Sequence, residues 1–210
     1  MTKIALIAGG IIEDIPRAYD VYVGIDYGCV YLLEHQFPLD IGIGDFDSVS
    51  KEEWSWINSN AKEIIKAPRE KDDTDTELAL QIVLEKHPDA EVYLYGCFGG
   101  RIDHLLSNLF LPSHPALTKY MQQIHLCDKQ NEVIYKSCGY HQVSRKDGFS
   151  YISFLVEGGE NLEILGAKYE LTSESFFKRK IYSSNEFLEG PIQVFVDHGY
   201  LVVIYSRDRR

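Results

Sequence analysis

Lys3-Ile4-Ala5-Leu6-Ile7-Ala8-Gly9-Gly10 is an unbroken apolar run closed by two glycines, and it decides the fold class. Strict alternation would mark a strand with one wet face. A continuous run marks a strand covered on both faces, as in parallel sheets flanked by helices. We therefore expect a central parallel strand that stops at a tight backbone turn. Val21-Tyr22-Val23-Gly24-Ile25 repeats the pattern and ends in Asp26-Tyr27-Gly28, after which Val30-Tyr31-Leu32-Leu33 suits a helix. A third run, Leu39 to Ile43, leads into Gly44-Asp45-Phe46-Asp47-Ser48. The helix expected from about Ser50 to Asn58 then places Trp54 and Ile57 on one face.

In an extended chain, residues two apart share a face, so Asp45 and Asp47 could direct both carboxylates at one spot, which suits a hard cation such as Mg2+. By itself this segment reads equally well as a polar turn capping the next helix. Residues 71 to 86 read as an acidic turn entering a helix, with Thr74 and Glu77 at capping-box spacing and Leu78, Ala79, Ile82 and Val83 as the apolar stripe. Acids at a helix start complement its dipole. A cap needs only one acid or hydroxyl, whereas Asp72, Asp73, Thr74, Asp75 and Thr76 crowd several into one turn. Their repulsion needs a cation or a donor to answer it. The strand Val92 to Tyr95 precedes Gly96-Cys97-Phe98-Gly99-Gly100-Arg101-Ile102-Asp103-His104 and a helical stripe of Leu105, Leu106, Leu109 and Phe110. Strand, glycine loop and helix can cradle phosphate, and Arg101 adds a bidentate donor. An ordinary glycine turn fits the same letters, and the histidines, His114 among them, show no pairing that assigns them chemistry.

After Pro112-Ser113-His114-Pro115 the character changes. Glu132 to Lys136, Tyr151 to Val156, Leu162 to Leu165, Ile192 to Val196 and Tyr200 to Tyr205 read as short strands, with Asp197-His198-Gly199 as a hairpin turn between the last two. The expected architecture is an N-terminal three-layer α/β domain with a mostly parallel sheet, residues 1–130, and a C-terminal all-β sandwich, residues 131–210.

With 210 residues, 45% of them hydrophobic, the chain can bury a sizeable core. A net charge of -11 argues against tracking a nucleic-acid backbone. Cys29, Cys97, Cys127 and Cys138 lack zinc spacing and read as reduced thiols, the first apolar run is too short for a signal peptide, and nothing has the length of a membrane span. A cytoplasmic protein, with no membrane partner, is the expectation. In open parallel sheets ligands bind beyond the carboxyl ends of the strands. Gly9-Gly10, Asp26, Asp45 with Asp47, and Gly99 to Asp103 all follow strands, so acids, a glycine loop and an arginine together describe Mg2+ and a polyphosphate.

The set Gly44-Asp45-Phe46-Asp47-Ser48, Glu70-Lys71-Asp72-Asp73-Thr74-Asp75, Gly99-Gly100-Arg101-Ile102-Asp103-His104 with Asn108, and Ser184-Asn185 strongly resembles the thiamine pyrophosphokinase family, in the family's order and over nearly the whole chain. The resemblance implies a homodimer with active sites near the interface, and transfer of the terminal diphosphate of ATP to the hydroxyethyl oxygen of thiamine, releasing AMP. It implies that Asp45, Asp47 and Asp75 are the catalytic acids and hold Mg2+. ATP contacts would come from Gly10, Asp26, Lys71, Asp72, Thr74, Arg101 and Asp103, with Asp73 in a variable place. Thiamine would be bound through Asp75, Ser184 and Asn185. One departure stands out: where the family usually has Asp-Gly-Gly-Ala-Asn after its second strand, this chain has Asp26-Tyr27-Gly28-Cys29-Val30. From the residues alone, a metal-dependent phosphohydrolase and a non-catalytic nucleotide or thiamine sensor stay open.

Overall fold

The structure, a computed structural model, describes residues 1–68, 70–172, 174 and 179–208. The chain forms two compact units, Met1–Lys129 and Gln130–Arg210.

The first unit contains β1 (Lys3–Ile7), β2 (Val21–Ile25), α1 (Tyr27–Glu34), β3 (Ile41–Gly44), α2 (Lys51–Asn60), β4 (Glu63–Lys66), α3 (Asp75–Lys86), β5 (Glu91–Tyr95), α4 (Ile102–Leu109) and β6 (Ile124–Cys127). Its strands lie in the order β6-β5-β1-β2-β3-β4, every pair parallel. The opening run is central, as expected, and Ile4 to Ile7 are fully buried. Ala5 and Ile7 join the core formed with Cys29, Val30 and Leu32 of α1 and Ile57 of α2. Ile4 and Leu6 point the other way, and α3, packed on β2 and β3, buries Ala79, Leu80, Val83 and Leu84. The stripe of α3 is thus rotated from the one expected: Leu78 and Ile82 are only half-buried, and Leu80 and Leu84 take the core positions.

Both helix starts use the capping box. Ser50 Oγ accepts the Glu53 N–H and Glu53 accepts the Ser50 N–H; Thr74 and Glu77 do the same for α3. β4 was not anticipated, because Glu63-Ile64-Ile65-Lys66 is short and charged at both ends, a composition suited to an edge strand. The stretch between β1 and β2 forms no helix. Instead, Arg17 donates to the carbonyls of His35 and Gln36 beyond α1, and the Tyr19 and Tyr95 hydroxyls meet at 2.5 Å. The helix α4 keeps its expected stripe in part: Leu105, Leu109 and Phe110 are half-buried and Leu106 is not. Asn108 is its one buried residue, donating to the Cys97 carbonyl at 3.0 Å, whereas Ile102 and Leu106 are 74% and 45% exposed.

The second unit is all β: β7 (Asn131–Val143), β8 (Tyr151–Glu157), β9 (Leu162–Leu165), β10 (Ile181–Asn185) and β11 (Ile192–Ser206). The order is β10-β8-β11-β7, with β9 also pairing β11. Its core includes Val143, Ile152, Phe154, Leu162, Ile164 and Val203.

Asp197-His198-Gly199 is not a hairpin turn. The strand β11 runs through it, paired to β7 on both sides, with a register shift between Val196 and Tyr200. Before this bulge β11 pairs with β9, and after it with β8. The turn-like letters serve the bulge: Asp197 Oδ1 accepts the N–H groups of Glu160, Asn161 and His198, and this holds its carboxyl far below the usual range. Gly199, at φ 68°, fits where an added Cβ would lie 1.9 Å from the Glu157 carbonyl oxygen. Gly199→Ala is therefore expected to destabilise the protein by about 2 kcal/mol or more, read as a lowered urea midpoint; an unchanged midpoint would show that the bulge relaxes freely.

Candidate active site

The parallel sheet ends in a row of polar loops, and four carboxylates gather there. The chain leaves β2 at Asp26, whose φ of 47° and ψ of -113° are unusual for a residue with a side chain. Its N–H donates to the Ile43 carbonyl, and its Oδ1 accepts the Phe46 N–H at 2.9 Å. That contact requires the glycine before the D-x-D pair: a Cβ on Gly44 would lie 1.9 Å from Asp26 Oδ1. Phe46 is itself left-handed, at φ 58°, and its ring is buried against Trp54 at a centroid distance of 4.7 Å. Contrary to the expectation, Asp45 and Asp47 therefore do not share the face of an extended strand. Strand β3 ends at Gly44, and the two acids sit on a turn in which Asp45 Oδ1 accepts the Asp47 N–H at 3.0 Å.

Asp75 opens α3. Its Oδ1 is buried and lies 2.6 Å from Lys71 Nζ, but off the direction of a hydrogen bond, so that the oxygen has a charge partner and no satisfied hydrogen bond. Lys71 also donates to the Pro68 carbonyl. Burial pushes the Asp26 carboxyl up to about 6, against the pull of the Phe46 N–H, and the charges of Asp75, Asp45 and Asp47 add to the rise. Burial acts to lower the Lys71 ammonium, yet contact with Asp75 and the fields of Asp45 and Asp26 leave it raised. These mutual effects place Asp26, Asp45, Asp47, Asp75 and Lys71 in one electrostatic neighbourhood.

Other expected site residues have different roles in the fold. Gly10 donates its N–H to Gly96, which joins the ends of β1 and β5 at the point where the strand order reverses. The Thr74 hydroxyl caps α3. Asp72 and Asp47 are exposed, and their carboxylates have no hydrogen-bond or ion-pair partner among the described residues. Arg101 and Asp103 form an exposed bidentate pair at 2.5 and 3.1 Å, which holds the Asp103 carboxyl down at about 2. Ser184, in the second unit, is exposed and left-handed at φ 59°. Asn185 is buried, and its amide is engaged by the Tyr169 N–H, the Tyr169 carbonyl and the Glu186 N–H. It shapes the backbone beside Ser184, with its oxygen taken twice and its NH2 group once by the backbone. A cavity of about 300 Å3 in the second unit, lined by Val156, Glu160, Arg179 and Lys180, lies toward the Leu155/Ile181 end of the β8–β10 pair, away from Asn185.

His114 was assigned no chemistry and proves to be bound to Asp73 at 3.1 Å. Only the crowding of acids from Asp72 to Asp75 hinted that a donor was needed there. Among the described residues no three His, Cys, Asp or Glu side chains form a ready-made metal cage. Mg2+ asks for less, because it is commonly held by one or two carboxylates with waters and substrate phosphates. The buried, unsatisfied Asp75 oxygen and an all-oxygen donor set fit such an ion.

A carboxyl whose folded-state pKa is raised binds more protons folded than unfolded between the two values, so stability falls as pH rises from about 4 to about 6. Asn at this position keeps an oxygen for the Phe46 N–H and removes the charge. In EDTA, Asp26→Asn should therefore be more stable than the parent at pH 8 by about 1 kcal/mol, after allowing for partial exposure, and no different near pH 4. Urea unfolding at the two pH values checks this; a variant less stable at pH 8 would contradict it.

Known proteins resemble this chain over nearly its whole length. Residues 13–126 match the family model described as "Thiamin pyrophosphokinase, catalytic domain", and residues 140–201 match "Thiamin pyrophosphokinase, vitamin B1 binding domain". A thiamine pyrophosphokinase of Bacillus subtilis (strain 168) is 32% identical over 99% of this chain and all of its own length. The crystal structure of a thiamin pyrophosphokinase family protein from Enterococcus faecalis superposes with a TM-score of 0.91 at 41% identity, covering 99% of this chain and all of that one. The Bacillus subtilis thiamine pyrophosphokinase structure gives a TM-score of 0.82 at 31% identity, with the same coverage. Two matched domains in order, and relatives aligned from end to end, establish that this chain belongs to the thiamine pyrophosphokinase family.

Proposed function

We propose that the chain transfers diphosphate from ATP to the hydroxyethyl oxygen of thiamine in a Mg2+-dependent reaction, giving thiamine diphosphate and AMP. The observation that carries this reading is the gathering of Asp26, Asp45 and Asp75 around Lys71, with Asp47 in the field of Asp26, beyond the carboxyl ends of β2 and β3. Four acids against one lysine leave net negative charge where a triphosphate would bind. Such a site is suited to a polyphosphate only when a cation accompanies it.

Asp45, Asp47 and Asp75 are the residues that would hold Mg2+. The ion, when bound, supplies charge neutralisation at the phosphate oxygens. Transfer of this kind proceeds through a loose transition state and depends mainly on positioning and charge stabilisation. The thiamine oxygen forms a bond to the β-phosphorus, the bond from that phosphorus to the α-phosphate oxygen breaks, and AMP carries away the electron pair. Asp75 orients the alcohol and accepts its hydroxyl proton through the carboxylate oxygen that does not face Lys71. Lys71 is the cationic partner of Asp75 and offers its remaining donor capacity to phosphate. Asp26 acts from behind, by fixing the Asp45–Asp47 turn through Phe46. Arg101, freed from Asp103 by a competing phosphate, contributes a bidentate contact. We assign thiamine recognition to Asp75 and to the Ser184 segment, with Asn185 shaping that segment.

We also read the enzyme as a cytoplasmic homodimer with active sites near the interface. The buried thiols of Cys29, Cys97 and Cys127, none of them in a disulfide, suit a reducing compartment. The outward apolar side of α4, Ile102 and Leu106 together with Ile11 (71% exposed) beside Gly99, supports a second copy adjoining the Arg101 loop. No helix of the described residues is long and apolar enough to cross a membrane.

Purified protein incubated with ATP, Mg2+ and thiamine should form AMP and thiamine diphosphate in equal amounts. Release of inorganic phosphate without need of thiamine would favour a phosphohydrolase, and binding without turnover a sensor. Asp45→Asn and Asp75→Asn should each lower kcat by roughly a hundredfold or more while retaining the parent's circular dichroism. Near-parental turnover in both would overturn the assignment of these acids.

A further inference from the structure

Asp73 sits inside the acidic loop, yet its carboxylate is bonded to Gln81 and His114 and makes no ion pair with Lys71. Its Oδ2 accepts Gln81 Nε2 at 2.8 Å, from two turns along α3, and its Oδ1 lies 3.1 Å from His114 Nε2. The histidine is fixed in turn. The Ala116 N–H donates to His114 Nδ1 at 3.2 Å, so Nδ1 is the acceptor and Nε2 carries the hydrogen directed at Asp73. His114 follows α4 and a single 3-10 turn at Leu111–Ser113, and α4 is itself anchored by the buried Asn108 amide on the Cys97 carbonyl. Two side-chain bonds, joined by the backbone from Asn108 to His114, therefore link the loop after β5 to the middle of the Lys71–Asp75 segment.

We infer that Asp73, Gln81 and His114 form a clamp that positions the Lys71–Asp75 loop for the reaction. This rests on the reading of that loop as part of the reacting centre. The geometry supplies the reason. Asp73 is held by two donors in the middle of the loop, Thr74 beside it caps α3, and Asp75 begins α3 with Lys71 at 2.6 Å, so the clamp sets the backbone from which the reacting residues project. Without the clamp, the loop is free to rotate while the capping box keeps α3 intact. None of the three residues need touch a substrate, so they are positioning residues. They also answer the crowding of acids in this turn: the Asp73 charge is met by protein donors, which leaves only its neighbours to a cation.

The test compares His114→Ala, His114→Gln, Asp73→Ala and the Ala/Ala double variant with the parent, by hydrogen exchange of the amides from Asp72 to Leu78 and by steady-state kinetics of AMP formation. His114→Ala should speed exchange in that segment and lower kcat by about tenfold to a hundredfold, with KM values changed much less. His114→Gln, which restores an N–H donor at similar reach, should recover both. The double variant should be no worse than Asp73→Ala alone. Parental exchange in His114→Ala, failure of His114→Gln to recover it, or additive effects in the double variant would each overturn the clamp. Should His114→Ala not fold, Gln81→Ala, which removes the other donor, is measured in its place with the same expectation and the same overturning result. If the parent itself makes no AMP in the presence of thiamine, the reading of the reaction fails, and the exchange measurements still judge the clamp.

Discussion

The contact on which the site depends is the bond from the Phe46 N–H to the Asp26 carboxylate at 2.9 Å. It ties the end of β2 to the turn after β3, and the conformations around it follow. Asp26 and Phe46 both take positive φ, and Gly44 is needed to leave room for the carboxylate. Strained backbone of this kind persists only where its surroundings enforce it. Here the enforcement comes from the parallel register of Val23 to Ile25 with Ile41 to Ile43, and from the Phe46 ring buried on Trp54. The half-buried Asp26 charge, among three other carboxylates, makes the site less stable than a neutral one would be, a common exchange of stability for activity.

The acids of the first unit divide by how they are answered. Glu53 and Glu77 complete capping boxes, Asp73 is held by Gln81 and His114, and Asp103 is paired with Arg101. Asp75 has Lys71, off the direction of a hydrogen bond. Asp47 and Asp72 have no such partner among the described residues. Exposed acids such as Glu34, Glu52 and Glu85 on the helices are likewise unpaired among the described residues, but Asp47 and Asp72 flank the Asp26, Asp75 and Lys71 cluster, where a metal ion carrying a polyphosphate would be held. A count of acidic residues in the sequence cannot make this division, since it depends on partners distant along the chain, 41 positions away for Asp73 and His114.

What the letters revealed was local. The unbroken run Lys3 to Ala8 reads as a two-sided strand because its period is its own property, and the Thr74/Glu77 spacing reads as a cap because both partners lie within one turn. What they concealed was decided by packing. Asp197-His198-Gly199 has the composition of a hairpin turn, but β11 stays paired to β7 on both sides and the same residues make a bulge. The leucines of α4 have helical spacing, but the polar Asn108 faces inward because the Cys97 carbonyl needs a donor. Asn185 was expected to meet a ligand and instead holds the backbone of Tyr169. In each case the type of residue was informative and its partner was not.

The central claim is that acids from the end of β3 and the start of α3 jointly receive one metal-bound triphosphate. The most direct measurement is the anomalous scattering of Mn2+, in place of Mg2+, in crystals grown with a non-hydrolysable ATP analogue and thiamine. Manganese bound to oxygens of Asp75 and of Asp45 or Asp47, with the analogue's phosphates completing its shell, is the predicted result. Manganese and triphosphate located away from these carboxylates would contradict it.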